Sequence, residues 1–323
     1  MLMNLILIIL VIHQSPKKIG NYKYLMCYFC VMSMIYAGID YIVQPYIHSY
    51  GSSFSMIMDL RDSIFSKFRQ VASVLTASLA ACFGVSIYAI AINFIYRYLA
   101  IQREGRTRYF HGFRLYIWLT IPILTGILWL SVAWFLLDYD EELAEYLRDS
   151  INNSYGLDAS EITLTGCMYF RPDEKGNLRW CIEDTVGAGI LCNVMAIPFC
   201  VICYFGYKSH KKISKITANG ESDYSKRLQT QLYNALVVQT AIPVIFLFFP
   251  IGALFTAPLL GINLEKGSFL VTFFYSFYPV VDPIPTLYYV DEYRDAFMNF
   301  WRRKLSKTQI ASVVTFDAHV DLP

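Results

Sequence analysis

Charge is what this sequence has least of. Only 16% of its 323 residues are Asp, Glu, Lys or Arg, against about 25% in a soluble domain. Histidine is scarcer still: His13, His48, His111, His210 and His319 are scattered among different loops and tails. No HxxxH or HExxH pair, GxSxG elbow or phosphate-cradling glycine loop occurs. These absences argue against an enzyme, a metal centre or a cofactor site. The net charge of +2 hides an uneven distribution of charge and says nothing about nucleic acid, which is not an expected partner.

What fills the chain instead is uncharged sequence in long runs. Gln70–Tyr96, Leu115–Leu137, Thr185–Tyr207 and Leu228–Leu264 each lack any acid or base. About 20 apolar residues cross the hydrocarbon core of a bilayer. Two further stretches, Tyr24–Ile47 and Gly267–Val290, are interrupted only by Asp40 and Asp282. Met1–Ile12 is apolar apart from Asn4, and twelve residues make about 18 Å of helix, half a span. A cleaved signal peptide is the competing reading, but basic residues follow this segment rather than precede it. The expectation is an all-α membrane protein: a seven-helix bundle with a truncated first helix. Its spans are expected at about 1–13, 24–47, 70–96, 115–137, 185–207, 236–260 and 268–290. Residues 1–307 form one domain on this reading, followed by a short tail, 308–323.

Lys and Arg fall on alternate loops. Those after spans 1, 3, 5 and 7 hold 19 of the 27 basic residues, which places them in the cytoplasm and the N-terminus outside. The loop from Asp138 to Asp184 holds twelve acids against four bases, as expected of an outer loop. It also contains the sequon Asn152-Asn153-Ser154, so Asn152 is an expected glycosylation site. Cys167 and Cys181 share this oxidising loop, and a disulfide between them would add about 3 kcal/mol. A bridge from either to Cys82 would require a thiol too deep in span 3. The other cysteines lie within spans, where a thiol packs as a small apolar group.

Three places carry polar groups of interest. At the inner end of span 3, Tyr96-Arg97-Tyr98 reads either as a snorkelling arginine in an aromatic belt or as a latch released when a cytoplasmic partner binds. In span 7, Asp282 lies among Pro279, Pro283 and Pro285. It reads either as a functional intramembrane acid, with Asp40 and Asn93 as its available neighbours, or as a neutral acid bonding carbonyls that the prolines free. Span 6 carries prolines too, at Pro243, Pro250 and Pro258. After span 7, Tyr293, Phe297, Phe300, Trp301 and Leu305 recur at helical spacing among basic residues. They describe an amphipathic helix over about 292–305 on the inner leaflet. Phe83, Asn193, Phe255, Tyr275 and Tyr278 are the candidates to line a small-molecule site in the outer half of the bundle.

Several segments together narrow this reading. Gln14-Ser15-Pro16-Lys17-Lys18-Ile19-Gly20-Asn21-Tyr22-Lys23-Tyr24-Leu25-Met26, Val43-Gln44-Pro45 with His48-Ser49-Tyr50-Gly51, and Phe94-Ile95-Tyr96-Arg97-Tyr98-Leu99-Ala100 are three of them. Tyr278-Pro279, Asp282-Pro283 and Tyr293-Arg294 complete the set. Over residues 5 to 300 the chain resembles the nematode Str-type serpentine chemoreceptors, a group of G-protein-coupled receptors. The resemblance implies detection of an odorant or tastant at the ciliary plasma membrane of sensory neurons, through a heterotrimeric G protein. The acid that precedes the arginine in the larger rhodopsin-like class is missing here, so any latch partner of Arg97 must come from another helix. The alternative is a seven-helix ligand-gated channel or a transporter. Charge placement opposes a channel whose N-terminus lies inside, and the internal repeats of a transporter are not evident.

Overall fold

The computed structural model describes residues 1–16, 19–102, 106–172, 177–216, 223–262, 264–300 and 302. Its helices follow the uncharged runs: α1 (Leu2–Gln14), α2 (Tyr22–Val43), α3 (Arg69–Ala100), α4 (Phe113–Leu136) and, after an outer helix α5 (Glu141–Tyr155), α6 (Ile182–Ile216). Span 6 is α7 (Asp223–Pro243), a π-helical turn (Val244–Phe248) and α8 (Phe249–Thr256). Span 7 is α9 (Glu265–Val281) and α10 (Ile284–Tyr289), and a helix over 291–300, α11, follows it. Among the described residues five helices are long and apolar enough to cross a membrane: α2, α3, α4, α6 and the stretch Lys226–Leu260. Helix α1 has only 13 residues, and α9 only 17 before Pro283 interrupts it.

The central helix is α3, which packs against α2, α4 and α6. Its buried face is rich in small residues, Ala72, Ala77, Ala81, Gly84, Ala89 and Ala91, which let neighbouring backbones come close. A methyl group at Gly84 would stand 2.9 Å from the indole of Trp129 on α4. The opposite faces carry exposed Ile35, Ile117, Leu124, Phe135, Ile197, Phe249 and Phe273. Such a surface would be costly in water; hydrocarbon is its natural solvent.

The end of the bundle that the charge placement assigns to the outside differs from the sequence expectation. Span 2 stops at Val43 rather than 47, because Pro45 supplies no amide donor and Gln44 takes a left-handed turn, φ 47°. The chain then forms β1 (Tyr46–Tyr50) and β2 (Ser53–Asp59), and the acidic loop contributes β3 (Ile162–Met168). These make an antiparallel sheet in the order β1-β2-β3, with Ser55 opposite both His48 and Gly166. A second small ribbon pairs β4 (Phe170–Pro172) with β5 (Leu178–Trp180). The all-α bundle therefore carries a β-sheet cap.

Alternation gives the sheet two faces. Ile57, Ile162 and Leu164 pack under α5, against Leu143, Leu147 and Ile151. Met58, Ile47 and Cys167 face the bundle core. Asp140 caps α5 by accepting from the Glu142 amide (3.0 Å), and Gly156 ends it at φ 64°. Arg171 ties this helix to the bundle, pairing with Glu142 at 2.7 Å and Asp184 at 3.7 Å.

Candidate functional site

The sheet closes the outer mouth of the bundle through bonds to several helices. The amide of Ile47 donates to Thr272 Oγ1 (2.9 Å), Tyr169 Oη donates to the Phe255 carbonyl (2.8 Å), and the Gly166 amide donates to the Leu137 carbonyl (3.0 Å). Beneath it lies a cavity of about 80 Å³ bounded by α3, α4, α6, α8, α9 and the sheet itself. Three of the five expected lining residues stand there: Phe83, Phe255 and Tyr275. Phe83 meets Trp129 edge-on at 5.6 Å, and Phe255 meets Phe54 of β2 at 4.5 Å. Tyr275 is fixed by donating its hydroxyl to the Leu79 carbonyl (2.8 Å).

The other two lie elsewhere. Asn193 is exposed on α6 and donates to its own helix at the Gly189 carbonyl (2.8 Å), so it points away from the cavity. Span periodicity alone does not tell which face of α6 meets lipid. Tyr278 is buried deeper in the bundle, with its ring 5.9 Å from Tyr36, and its hydroxyl donates to Asp282 Oδ1 (3.3 Å).

Asp282 is 1% exposed. Besides Tyr278 it accepts from Gln239 Nε2 of α7 at 3.2 Å, while Oδ2 has no partner among the described residues. Neither expected neighbour reaches it. Asp40 sits near the outer end of α2 and accepts from Ser276 (3.0 Å); Asn93 donates to Ala89 of its own helix (3.1 Å). The mismatch with Asp40 is one of depth, since Asp282 lies towards the inner end of span 7. The prolines act as helix punctuation: Pro283 caps α10, and Pro285 sits in its first turn. The Pro279 carbonyl is satisfied by Asn4 Nδ2 of α1 (3.0 Å), not by Asp282. Replacing Gln239 with Leu leaves Asp282 with Tyr278 alone, an expected cost of about 1–3 kcal/mol. The purified variant should melt at a lower temperature; an unchanged Tm would remove this bond from the stability account.

At the inner end, Arg97 is 2% exposed, so it does not snorkel. Its guanidinium lies 3.6 Å from the ring centroid of Tyr22, and Nη1 donates to Gln229 Oε1 on α7 (3.3 Å). Tyr96 stacks on the same Tyr22 at 5.2 Å, and Tyr98 meets Phe205 of α6 at 5.3 Å. Beside this cluster, Tyr293 of α11 is buried and bonds Ser15 (2.7 Å). Trp301 and Leu305 of the expected surface helix, and the tail 308–323, lie outside the described residues.

A model of the serpentine seven-transmembrane chemoreceptors of Str type matches residues 1–298. The chain belongs to the Str family. Its relatives include serpentine receptor class r-10 of Caenorhabditis elegans, 30% identical over 288 residues, covering 88% of this chain and 82% of that one. G-protein coupled receptor str-217 of the same organism is 29% identical over 304 residues, 92% of this chain and 85% of that one. This Str-family chain is a membrane-spanning chemoreceptor of the G-protein-coupled type, and not an enzyme.

Two further expected site features lie near the sheet. Asn152 is exposed on α5. Cys167 and Cys181 are drawn into one corner, where the Cys181 amide donates to the Tyr169 carbonyl (2.9 Å), and both are free thiols in this structure. Cys167 Sγ donates instead to the Asp184 carbonyl (3.6 Å). Burial pushes the Cys167 thiol well above its ordinary value, and the Asp184 carboxylate adds to this.

Sequence reasoning missed Tyr22, Gln229 and Gln239, because amides and tyrosines carry no distinctive spacing. It also missed every cavity residue from the sheet.

Proposed function

We propose that this Str-family receptor detects a small molecule, an odorant or tastant, in the cavity beneath the sheet and passes the event to a heterotrimeric G protein. The observation that carries the reading is the cavity's position: one ligand there touches the outer sheet, the fixed helices α3 and α4, and α8 and α9 together. Those last two continue into the π-helical turn after Pro243 and the break at Pro283, where backbone hydrogen bonding is already irregular. Ligand contact biases spans 6 and 7 about these points. Asp282, Pro283 and Pro285 act as the switch in span 7, and Tyr96, Arg97 and Tyr98 as the inner latch.

The N-terminus lies outside on this reading and the tail in the cytoplasm, with α11 against the inner leaflet. Asn152 carries a glycan. The Cys167–Cys181 bridge forms on oxidation in the secretory path and holds the corner above α6. The receptor works in the ciliary plasma membrane of sensory neurons.

The testing experiment tags the C-terminus, assays Asn152 for glycan, and probes the tag in intact and permeabilised cells before an odorant screen read by second messenger. A glycosylated surface protein with an internal tag and a ligand-evoked response is the expected result. An external tag overturns the orientation, and the G-protein mechanism with it.

A further inference from the structure

Two buried residues of α9, Tyr275 and Pro279, have carbonyls that a proline deprives of their helical donor. Pro279 supplies no amide to the Tyr275 carbonyl, and Pro283 supplies none to the Pro279 carbonyl, four residues back in each case. Hydrocarbon offers no water to such a group, so its neighbours must satisfy it. Both carbonyls are satisfied, each by a side chain of a different helix. The hydroxyl of Tyr36 on α2 donates to the Tyr275 carbonyl (2.9 Å), and Asn4 Nδ2 on α1 donates to the Pro279 carbonyl (3.0 Å). Tyr36 and Asn4 are themselves buried.

The two donors are held in place. Ser33, Tyr36 and Asp40 recur at i, i+3 and i+7, on one face of α2. Ser33 accepts a second bond from Asn4 Nδ2 (3.1 Å), and Asp40 accepts from Ser276 of α9 (3.0 Å). The Tyr36 ring meets that of Tyr275 edge-on at 5.3 Å. Other spans treat their prolines differently. Pro122 of α4 and Pro198 of α6 free the carbonyls of Trp118 and Val194, and neither takes a side-chain bond among the described residues. In span 6 the backbone itself adjusts: within the π-helical turn the Phe249 amide reaches back five residues to the Val244 carbonyl.

We infer that Tyr36 and Asn4 are positioning residues: they stand in for the two amides that the prolines remove, and so hold span 7 against α2 and α1 in the resting receptor. For its signalling consequence the inference rests on reading span 7 as the switch. The ring of Tyr275 lines the cavity while its carbonyl carries the Tyr36 bond, so displacement of that residue acts on the bond directly. Movement of span 7 away from α2 breaks the bond, which therefore favours the resting state by its own strength.

The test is a double-mutant cycle that pairs each donor with its proline. Tyr36→Phe removes the hydroxyl and keeps the ring, while Pro279→Ala restores the amide for the Tyr275 carbonyl. Asn4→Leu and Pro283→Ala form the second pair. Backbone hydrogen exchange over residues 265–289, in the purified receptor in lipid nanodiscs, reads the hold on span 7. Tyr36→Phe should speed exchange by about fivefold, the worth of one net hydrogen bond. Added to Pro279→Ala it should change nothing; added to Pro283→Ala it should keep its full effect. Asn4→Leu should show the converse pairing. In cells, at matched surface level, Tyr36→Phe should raise ligand-independent second messenger by a similar factor. Its double variant with Pro279→Ala should match Pro279→Ala alone.

Equal effects of Tyr36→Phe with and without Pro279 would reduce the tyrosine to packing and overturn the inference. Suppression by Pro283→Ala instead would do the same. Should Asn4→Leu fail to fold, the tyrosine pair decides alone. Exchange that follows the pairing, with no rise in ligand-independent signalling, leaves the substitute donors standing and defeats span 7 as the switch. A rise in signalling without the pairing does the reverse.

Discussion

Receptor carrying Arg97→Ala is expected to reach the cell surface at the wild-type level and to give no ligand-evoked second messenger. Arg97 is buried with no carboxylate in salt-bridge reach among the described residues. It is held by the face of Tyr22 and by one bond to Gln229, and Nε and Nη2 have no partner among the described residues. A desolvated cation–π contact is worth about 2 kcal/mol, and a hydrogen bond from a charged donor about 1.5–3 kcal/mol. Neither fully offsets burying a guanidinium. Removing the side chain therefore costs the fold little. What it removes is a cation with two unspent donors, which on the proposed latch is released when α7 moves off α3. Gln229→Leu provides the complementary test: it frees α7 but leaves Arg97, and should raise ligand-independent signalling. Normal signalling by Arg97→Ala, at normal surface level, would discard the latch.

Gly166→Ala is expected to be the most damaging single methyl group in the outer region. An added Cβ there would stand 2.6 Å from the Phe54 carbonyl and 2.8 Å from Ser55 Cβ, with Ser55 Cα at 3.0 Å. These are atoms of a paired strand, not the far end of a flexible side chain, so β2 and β3 must separate. Overpacking of this kind costs about 1–3 kcal/mol. Here it also shifts the roof of the cavity and loosens the hydrogen bond from the Gly166 amide to the Leu137 carbonyl at the end of α4. The variant should accumulate inside the cell with an immature glycan at Asn152 and lose binding at the cavity. Surface delivery equal to wild type would show that the sheet tolerates the displacement.

How legible each feature was depended on how local its physics is. The five longest apolar segments could be read directly, because crossing hydrocarbon requires about 20 consecutive residues whatever surrounds them. Proline positions marked the irregular parts of spans 6 and 7 for the same reason: a missing donor acts on its own helix. The end of α2 was misjudged by four residues because Tyr46 and Ile47 are apolar enough to extend a span but are spent on a strand. Asn193 and Phe255 were equally plausible lining residues by position. Only the packing of α6 turned one outward and that of α8 turned the other in.

By itself, then, the sequence determined that this chain is a helical membrane protein, and its motifs carry the Str-family membership. Run length, proline and charge act over one turn or one span. Only the tertiary structure decided that β1 and β2 meet β3, a strand more than a hundred residues later in the chain. The same holds for the side chains that stand together: Phe54 at Phe255, Gln239 at Asp282, Gln229 and Tyr22 at Arg97. Contacts between distant segments depend on which helix faces meet. Near-uniform apolar spans do not encode that choice residue by residue; mutual packing makes it.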